Sequence, residues 1–334
     1  MYTGWLQPFR RKGPLLQEER DTALSRKQEP DIEPSQRMGL IRINSTYLDW
    51  IDRRYLFRGN FPIFLGTSIG VCFVVLFVFL IIFVATEYEG YIDLIGLTSF
   101  FLVSIFPIFK LVLLKEYFTY THYPIRFNRK TRMVHVFRHN GPGGVLSVPW
   151  DKVFFHIGQG TTRKDLIDIR GEVLDGDIVK DTFALGHAVP KTSRALLEMW
   201  EFIRRYMDEG SEAVGQDPLD RYVELSVTPT WKNCWLIMRN YYAAGVPAPL
   251  QVLVWPFVLL YTLTRWVVLH TCRKPIFPPE IEATCKVEPN DPNVWPIPPS
   301  SGEFAATIPG VLKRAEARAT RNRQMEQKKA SNLP

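Results

Sequence analysis

Two long apolar runs, Phe61 to Thr86 and Leu94 to Leu114, flank a short acidic loop, Glu87-Tyr88-Glu89-Gly90. The first run carries no charge and the second only Lys110. A helix needs about 20 apolar residues to cross a hydrocarbon core of about 30 Å, and each run is long enough. The expectation is a transmembrane helical hairpin over 61–114. Arg42, Arg53, Arg54 and Arg58 precede it, Lys115, Arg126, Arg129, Lys130 and Arg132 follow it, and the loop has no basic residue. Basic residues gather on the cytoplasmic side, so both flanks are expected in the cytoplasm and the chain is expected to be multi-pass.

The 334 residues leave room for one further domain with irregular arms. The net charge of +7 is spread over the membrane flanks, a β-rich region and the tail, with acidic residues interspersed. That distribution fits attraction to anionic lipid better than a nucleic-acid footprint, so no nucleic-acid partner is expected. Cys72, Cys234, Cys272 and Cys285 are widely spaced and form no Cys-x-x-Cys unit. Neither a zinc framework nor a disulfide scaffold follows. The polar N-terminus lacks a signal-peptide pattern, which leaves the first apolar run as the insertion signal.

Periodicity divides the rest. Residues 1–44 read as a flexible arm. Residues 45–60 read as an interfacial helix, capped by Ser45 or Thr46, with Leu48, Ile51 and Tyr55 at helical spacing. Over 120–210 the period changes to two. Val134 and Val136 alternate with Met133, His135 and Phe137, Gly141-Pro142-Gly143-Gly144 makes a turn, and Val145 to Trp150 and Val153 to Ile157 are further strands. Leu166 to Arg170 and Ile178 to Leu185 flank the hairpin dipeptide Asp175-Gly176. A helix from about Ser193 to Glu209 carries the stripe Leu196, Trp200, Ile203 and Met207. The domain predicted here is small and α+β, with antiparallel strands and one C-terminal helix.

Residues 231–270 form a membrane-associated segment or a third span. The stretch from Leu250 to His270 is long enough to cross, yet Pro256 interrupts it and Arg265 sits near its end. A third crossing would carry the basic tail outside, against the positive-inside tendency; a re-entrant segment would keep it inside. Residues 271–334 are a proline-rich arm and a basic tail.

Chemistry is sparse. His135 and His139 share a strand face, but residues four apart on a strand are about 13 Å apart, too far to hold one ion. The Gly141–Gly144 run lacks the Gly-Lys-Ser/Thr of a phosphate loop. Asp165, Asp168, Glu172, Asp175, Asp177 and Asp181 read as solvent-face or turn residues of antiparallel strands. No nucleophile, base and oxyanion donor come together, so no enzyme, metal or cofactor is expected. The binding candidates are Arg126, Arg129, Lys130, Arg132 and Arg138, just beyond the second apolar run. They serve either as topological anchors or as contacts for lipid headgroups or a protein partner.

The segments Ile125-Arg126-Phe127-Asn128-Arg129-Lys130-Thr131-Arg132 and Val148-Pro149-Trp150-Asp151-Lys152-Val153 resemble the opening strands of bacterial pleckstrin-homology-like domains. With the arm, the hairpin, Tyr123 to Arg132, Val148 to Asp151 and the proline-rich arm, the chain also resembles an uncharacterised proteobacterial membrane-protein family often encoded near type VI secretion genes. The resemblance implies the bacterial inner membrane and a protein partner, an effector or a secretion component. It implies a non-enzymatic immunity or accessory factor. The alternative is a lipid-sensing or scaffolding membrane protein, and a membrane-bound toxin is a third reading. The oligomeric state is left open.

Overall fold

The computed structural model describes residues 13–27, 32–60, 114–159, 165–215 and 221–307, with scattered positions in 62–103, 217–220 and 310–324. Among the described residues the strands are β1 (Gly13–Pro14), β2 (Leu40–Ile43), β3 (Tyr47–Trp50), β4 (Ile125–Asn128), β5 (Met133–Phe137), β6 (Val145–Pro149), β7 (Val153–Gln159), β8 (Leu166–Asp175) and β9 (Ile178–Pro190). The helices that matter below are α1 (Gln17–Asp21), α2 (Ala195–Asp208), α3 (Trp231–Ala243), α4 (Ala248–Thr271) and α5 (Pro279–Thr284). They divide between two units. One comprises Met1–Arg53, His122–Thr228 and Pro275–Pro334, the other Arg54–Thr121 and Pro229–Lys274.

The first unit holds two antiparallel sheets, ordered β2-β3-β4-β5-β6 and β1-β9-β8-β7. Local chemistry sets their turns. Asn128 Oδ1 accepts the amide of Thr131 at 3.0 Å, an Asx-type turn that folds β4 back on β5. Gly176, at φ 60°, allows the tight β8–β9 reversal after Asp175. The core then fills with aromatics. Trp150 stacks on Trp200 of α2 at 5.7 Å between ring centres, and Phe155 lies 4.9 Å from the same ring. Leu196, Met199, Trp200, Ile203 and Met207 set the apolar side of α2 into that core.

The polar side of α2 is covered as well. Arg205 donates to the Ile32 carbonyl at 2.9 Å, and Glu198 pairs with Arg37 at 2.5 Å. Glu201 and Arg204, an i,i+3 pair at 2.8 Å, are both buried. The C-terminal arm is integrated too. Trp295 lies in the core cluster, Phe277 meets Phe137 edge-on at 5.8 Å, and Ser45 donates to Asp291.

Among its described residues, the second unit is built on α3 and α4. Thr230 Oγ1 caps α3 by accepting the Asn233 amide at 3.2 Å. Tyr242 stacks on Tyr261 at 4.4 Å, and Trp231 meets Trp266 edge-on at 6.2 Å. Arg265, fully buried, donates to the carbonyls of Tyr55 at 2.7 Å and Arg58 at 3.0 Å. Gly59, at φ 90°, lies against the backbone of Arg265, where a Cβ would collide. Glu116 accepts the Gly59 amide at 2.8 Å, and burial pushes its carboxyl above the usual range against the pull of that bond, Arg58 and Arg54.

This architecture corrects the expected fold of a membrane hairpin carrying a small, pleckstrin-homology-like α+β domain. The protein is an α+β fold with two antiparallel sheets, and among the described residues one helix is long and apolar enough to cross a membrane. The hairpin expected over 61–114 lies outside the described residues, apart from scattered positions. Residues 45–60 do not form an interfacial helix. They form β3 and a 3-10 turn at Tyr55–Phe57, because Leu48 and Trp50 face the core while Tyr47 and Asp49 are buried on the other side. The stretch read as a flexible arm supplies β1, α1 and β2, since Leu15, Ile32, Leu40 and Ile43 are buried.

Candidate functional site

The basic residues singled out in the sequence lie on or beside the β4–β5 hairpin. Arg126 faces Asp49 across the β3–β4 pair. Its Nε and Nη2 donate to Oδ1 and Oδ2 at 2.7 and 3.0 Å, and its Nη1 donates to Glu282 at 2.9 Å. The guanidinium lies between the rings of Tyr47 and Phe277, 4.1 and 4.2 Å from their centres. Burial pulls this group down, and Asp49, Tyr47 and Glu282 outweigh it, holding the guanidinium above its ordinary value. Arg126 is therefore a buried structural cation, 3% exposed.

The other four are nearer the surface. Arg132 spans Asp151 and Asp208, each at 2.9 Å. Lys130 reaches Glu288 at 2.9 Å with both side chains exposed, an arrangement worth little in water. Arg138 pairs with Asp181 at 2.6 Å. Arg129 is half-buried beside Gly210, where any side chain would meet its guanidinium. It has no acidic partner within ion-pair distance among the described residues. The structure thus gathers Arg129, Lys130 and Arg132 around one turn. Arg126 points into the fold instead, and Arg138 is tied to β9.

The acidic strand residues are not all on a solvent face. Asp168 is 1% exposed and bridges Arg53 at 2.7 Å and Arg170 at 3.0 Å. Glu172 is also buried and accepts from the Thr182 hydroxyl at 2.5 Å. The alternation of β8 places both opposite the core-facing Ile167 and Ile169, and chain segments cover that second face.

The histidines separate. His135 binds Ser147 Oγ through Nδ1 at 2.8 Å, and burial, helped by the charge of Arg126 and opposed by Asp49, lowers it to about 4. His139 accepts the Gly141 amide within the turn. His156 lies on β7 beside Glu172. Among the described residues, Glu19, His156 and Glu172 are the group whose potential ligand atoms converge, all within 4.8 Å of one another.

In the second unit, α4 presents two unlike faces. Val258, Thr262, Arg265 and Leu269, at helical spacing, are buried. Leu253, Phe257, Leu260, Leu263 and Val267 are exposed, up to 70% at Leu253. The most apolar 18-residue window within Pro249–Thr271 has a mean hydropathy of 1.8. Its 24-residue helix is roughly 36 Å long at 1.5 Å per residue, enough for a hydrocarbon core of about 30 Å. Pro256 sits on the exposed side. Arg265 is carried within because its Nη1 donates to backbone carbonyls and its guanidinium lies over the Tyr55 ring at 4.7 Å.

Sequence reasoning missed Asp49 and Glu282 as partners of Arg126, and it missed the carbonyl cage around Arg265. Asp49 gave no local signal, because β3 is buried on both faces. Glu282 lies more than 150 residues from Arg126, and no local pattern links the two.

A family model described as a family of unknown function, DUF6708, matches residues 100–289. That is more than half of the 334 residues, and the chain belongs to this family. Among the curated proteins and the solved structures, none matches the chain.

Proposed function

We propose that this DUF6708 member is a non-enzymatic, membrane-attached binding protein. On this reading α4 provides the attachment and the two-sheet unit binds a protein partner. The observation that carries it is the exposed apolar side of α4. A helix of that length with Leu253, Phe257, Leu260 and Leu263 facing outward is costly in water, at roughly 1.5–3 kcal/mol for each large side chain that could be buried. Apolar surface of this extent marks an interaction site, and a hydrocarbon core matches its length. The reading favours binding over catalysis because the strand carboxylates and guanidiniums, such as Asp168 with Arg53 and Arg170, are spent on one another.

The bacterial inner membrane and a type VI secretion effector or component as partner rest on the sequence resemblance alone. Within that context the protein acts as an immunity or accessory factor. Co-expression with the toxin encoded beside it should protect the host cell; continued killing at matched expression removes the immunity role. The second reading, lipid sensing, draws on the turn that gathers Arg129, Lys130 and Arg132. It requires vesicle binding that rises with anionic lipid and falls when these three become alanine.

A further inference from the structure

The geometry points to a divalent metal site formed by Glu19, His156 and Glu172, which staples α1 to the outer face of the second sheet. His156 and Glu172 lie on the paired strands β7 and β8, on the face away from the aromatic core. The segment after α1 runs along the edge of β7, with Ala23 bridged to His156 and the Leu24 amide bonded to the Phe155 carbonyl at 2.9 Å. This places α1 so that Glu19 completes the group, with all three ligand atoms within 4.8 Å of one another.

The charges in this group are poorly balanced by protein. Glu172 is 3% exposed, and its partners are the Thr182 hydroxyl at 2.5 Å and His156 Nε2 at 3.2 Å. Among the described residues, the Glu19 carboxylate holds only the Leu16 amide, at 2.8 Å. The basic residues of the same elements are engaged elsewhere: Arg20 pairs with Asp177, and Arg170 with Asp168 and the Gln159 carbonyl. Among the described residues, two carboxylates thus converge on one imidazole with no arginine or lysine within ion-pair distance, and burying a carboxylate such as Glu172 without a cation is costly. His156 is 1% exposed, and its Nδ1 has no partner among the described residues.

The donor set and its spacing suit a transition-metal ion. Imidazole with two carboxylates is a nitrogen–oxygen set of the kind that zinc and its neighbours accept. A tetrahedral ion with bonds of about 2.0–2.1 Å separates its ligand atoms by roughly 3.3 Å. The 3.2 Å between His156 Nε2 and Glu172 Oε1 already has that length. Glu19 is half-exposed on a short helix, so its carboxylate can close the remaining distance by rotation. Thr182 fixes the orientation of Glu172 through its second oxygen, as an outer partner does for a ligating carboxylate. With three protein ligands, the remaining positions fall to water.

The test is titration of the tag-free, chelator-treated full chain in detergent with ZnCl2, followed by calorimetry and by thermal melting with circular dichroism. One equivalent should bind, and the melting temperature should rise. His156→Gln and Glu172→Gln should abolish that equivalent. Glu19→Gln should weaken it at least tenfold, and Thr182→Val by about 10–100-fold. Glu18→Gln, an exposed neighbour on α1, should bind like the parent. Should the buried variants fail to fold, Glu19→Gln decides, because its side chain is outside the core. No stoichiometric binding by the folded chain overturns the site, and so does equal affinity in Glu19→Gln.

Discussion

Arg126 and Asp49 face one another across β3 and β4 as a buried two-pronged pair, with donor–acceptor distances of 2.7 and 3.0 Å. Removing one partner strands a charge in the interior, which costs about 3–5 kcal/mol. Arg126→Ala and Asp49→Ala should each destabilise the chain by that amount in urea unfolding. Arg126→Met combined with Asp49→Leu should cost far less, because no buried charge is left behind, Glu282 being half-exposed. A simple sum of the single effects in the double variant would show that the two residues act independently.

Acid should loosen the fold before the carboxylates titrate. His135 and His187 are each lowered to about 4 by burial, with Arg126 adding to the effect at His135 and Arg37 at His187. In the unfolded chain each titrates near 6.5. Between those values the unfolded state binds more protons than the folded one, so stability falls as pH drops. The histidine contribution is complete above about 6.5 and exhausted below about 4. Melting temperatures measured from pH 7 to 5 should decline, and His135→Gln should flatten part of that decline. An unchanged slope in that variant would assign the acid sensitivity to other groups.

Gly171 marks a close approach inside the second sheet. A Cβ there would lie 2.5 Å from the ring of Phe183, which meets Phe155 edge-on at 6.1 Å. Gly171→Ala should therefore overpack the core, at a cost of about 1–3 kcal/mol. Gly171→Ala with Phe183→Leu should recover much of it, as read by urea midpoints.

Arg265 satisfies two carbonyls of the 55–58 turn from within α4. Arg265→Leu strips both buried carbonyls of this donor, leaving Tyr55 with the Arg58 amide at 3.3 Å, a loss on the order of 2 kcal/mol. Trypsin should then cut faster within 53–58 in the detergent-solubilised chain. Arg265→Lys should restore only part of the protection, because an ammonium group lacks the planar guanidinium that lies over the Tyr55 ring.

Where the chemistry was local, the sequence was readable. The alternation of Met133–Phe137 became β5, Asp175-Gly176 became the β8–β9 turn, and the stripe from Leu196 to Met207 became the buried side of α2. Residues 45–58 misled because Leu48, Ile51 and Tyr55 match a helical period, while burial on both faces of β3 hides its alternation. The arms misled for a related reason. Proline and charge suggest exposed chain, yet Trp295 and Phe277 plug the first unit and Ile32 lies against α2. The site residues depend on still longer reach. Neither Glu282 beside Arg126 nor Glu19 beside His156 follows from spacing along the chain. Both pairings arise from segments folding back over sheets.

Membrane attachment through α4 can be tested directly on its exposed side. A spin label placed at Leu260 of the full chain in lipid nanodiscs can be probed with oxygen, which partitions into hydrocarbon, and with a water-soluble nickel chelate. A label at Ile178, exposed on β9, serves as the aqueous reference. Oxygen should relax the Leu260 label and nickel should not, with the reverse at Ile178. Nickel access at Leu260 equal to that at Ile178 would contradict membrane attachment through α4.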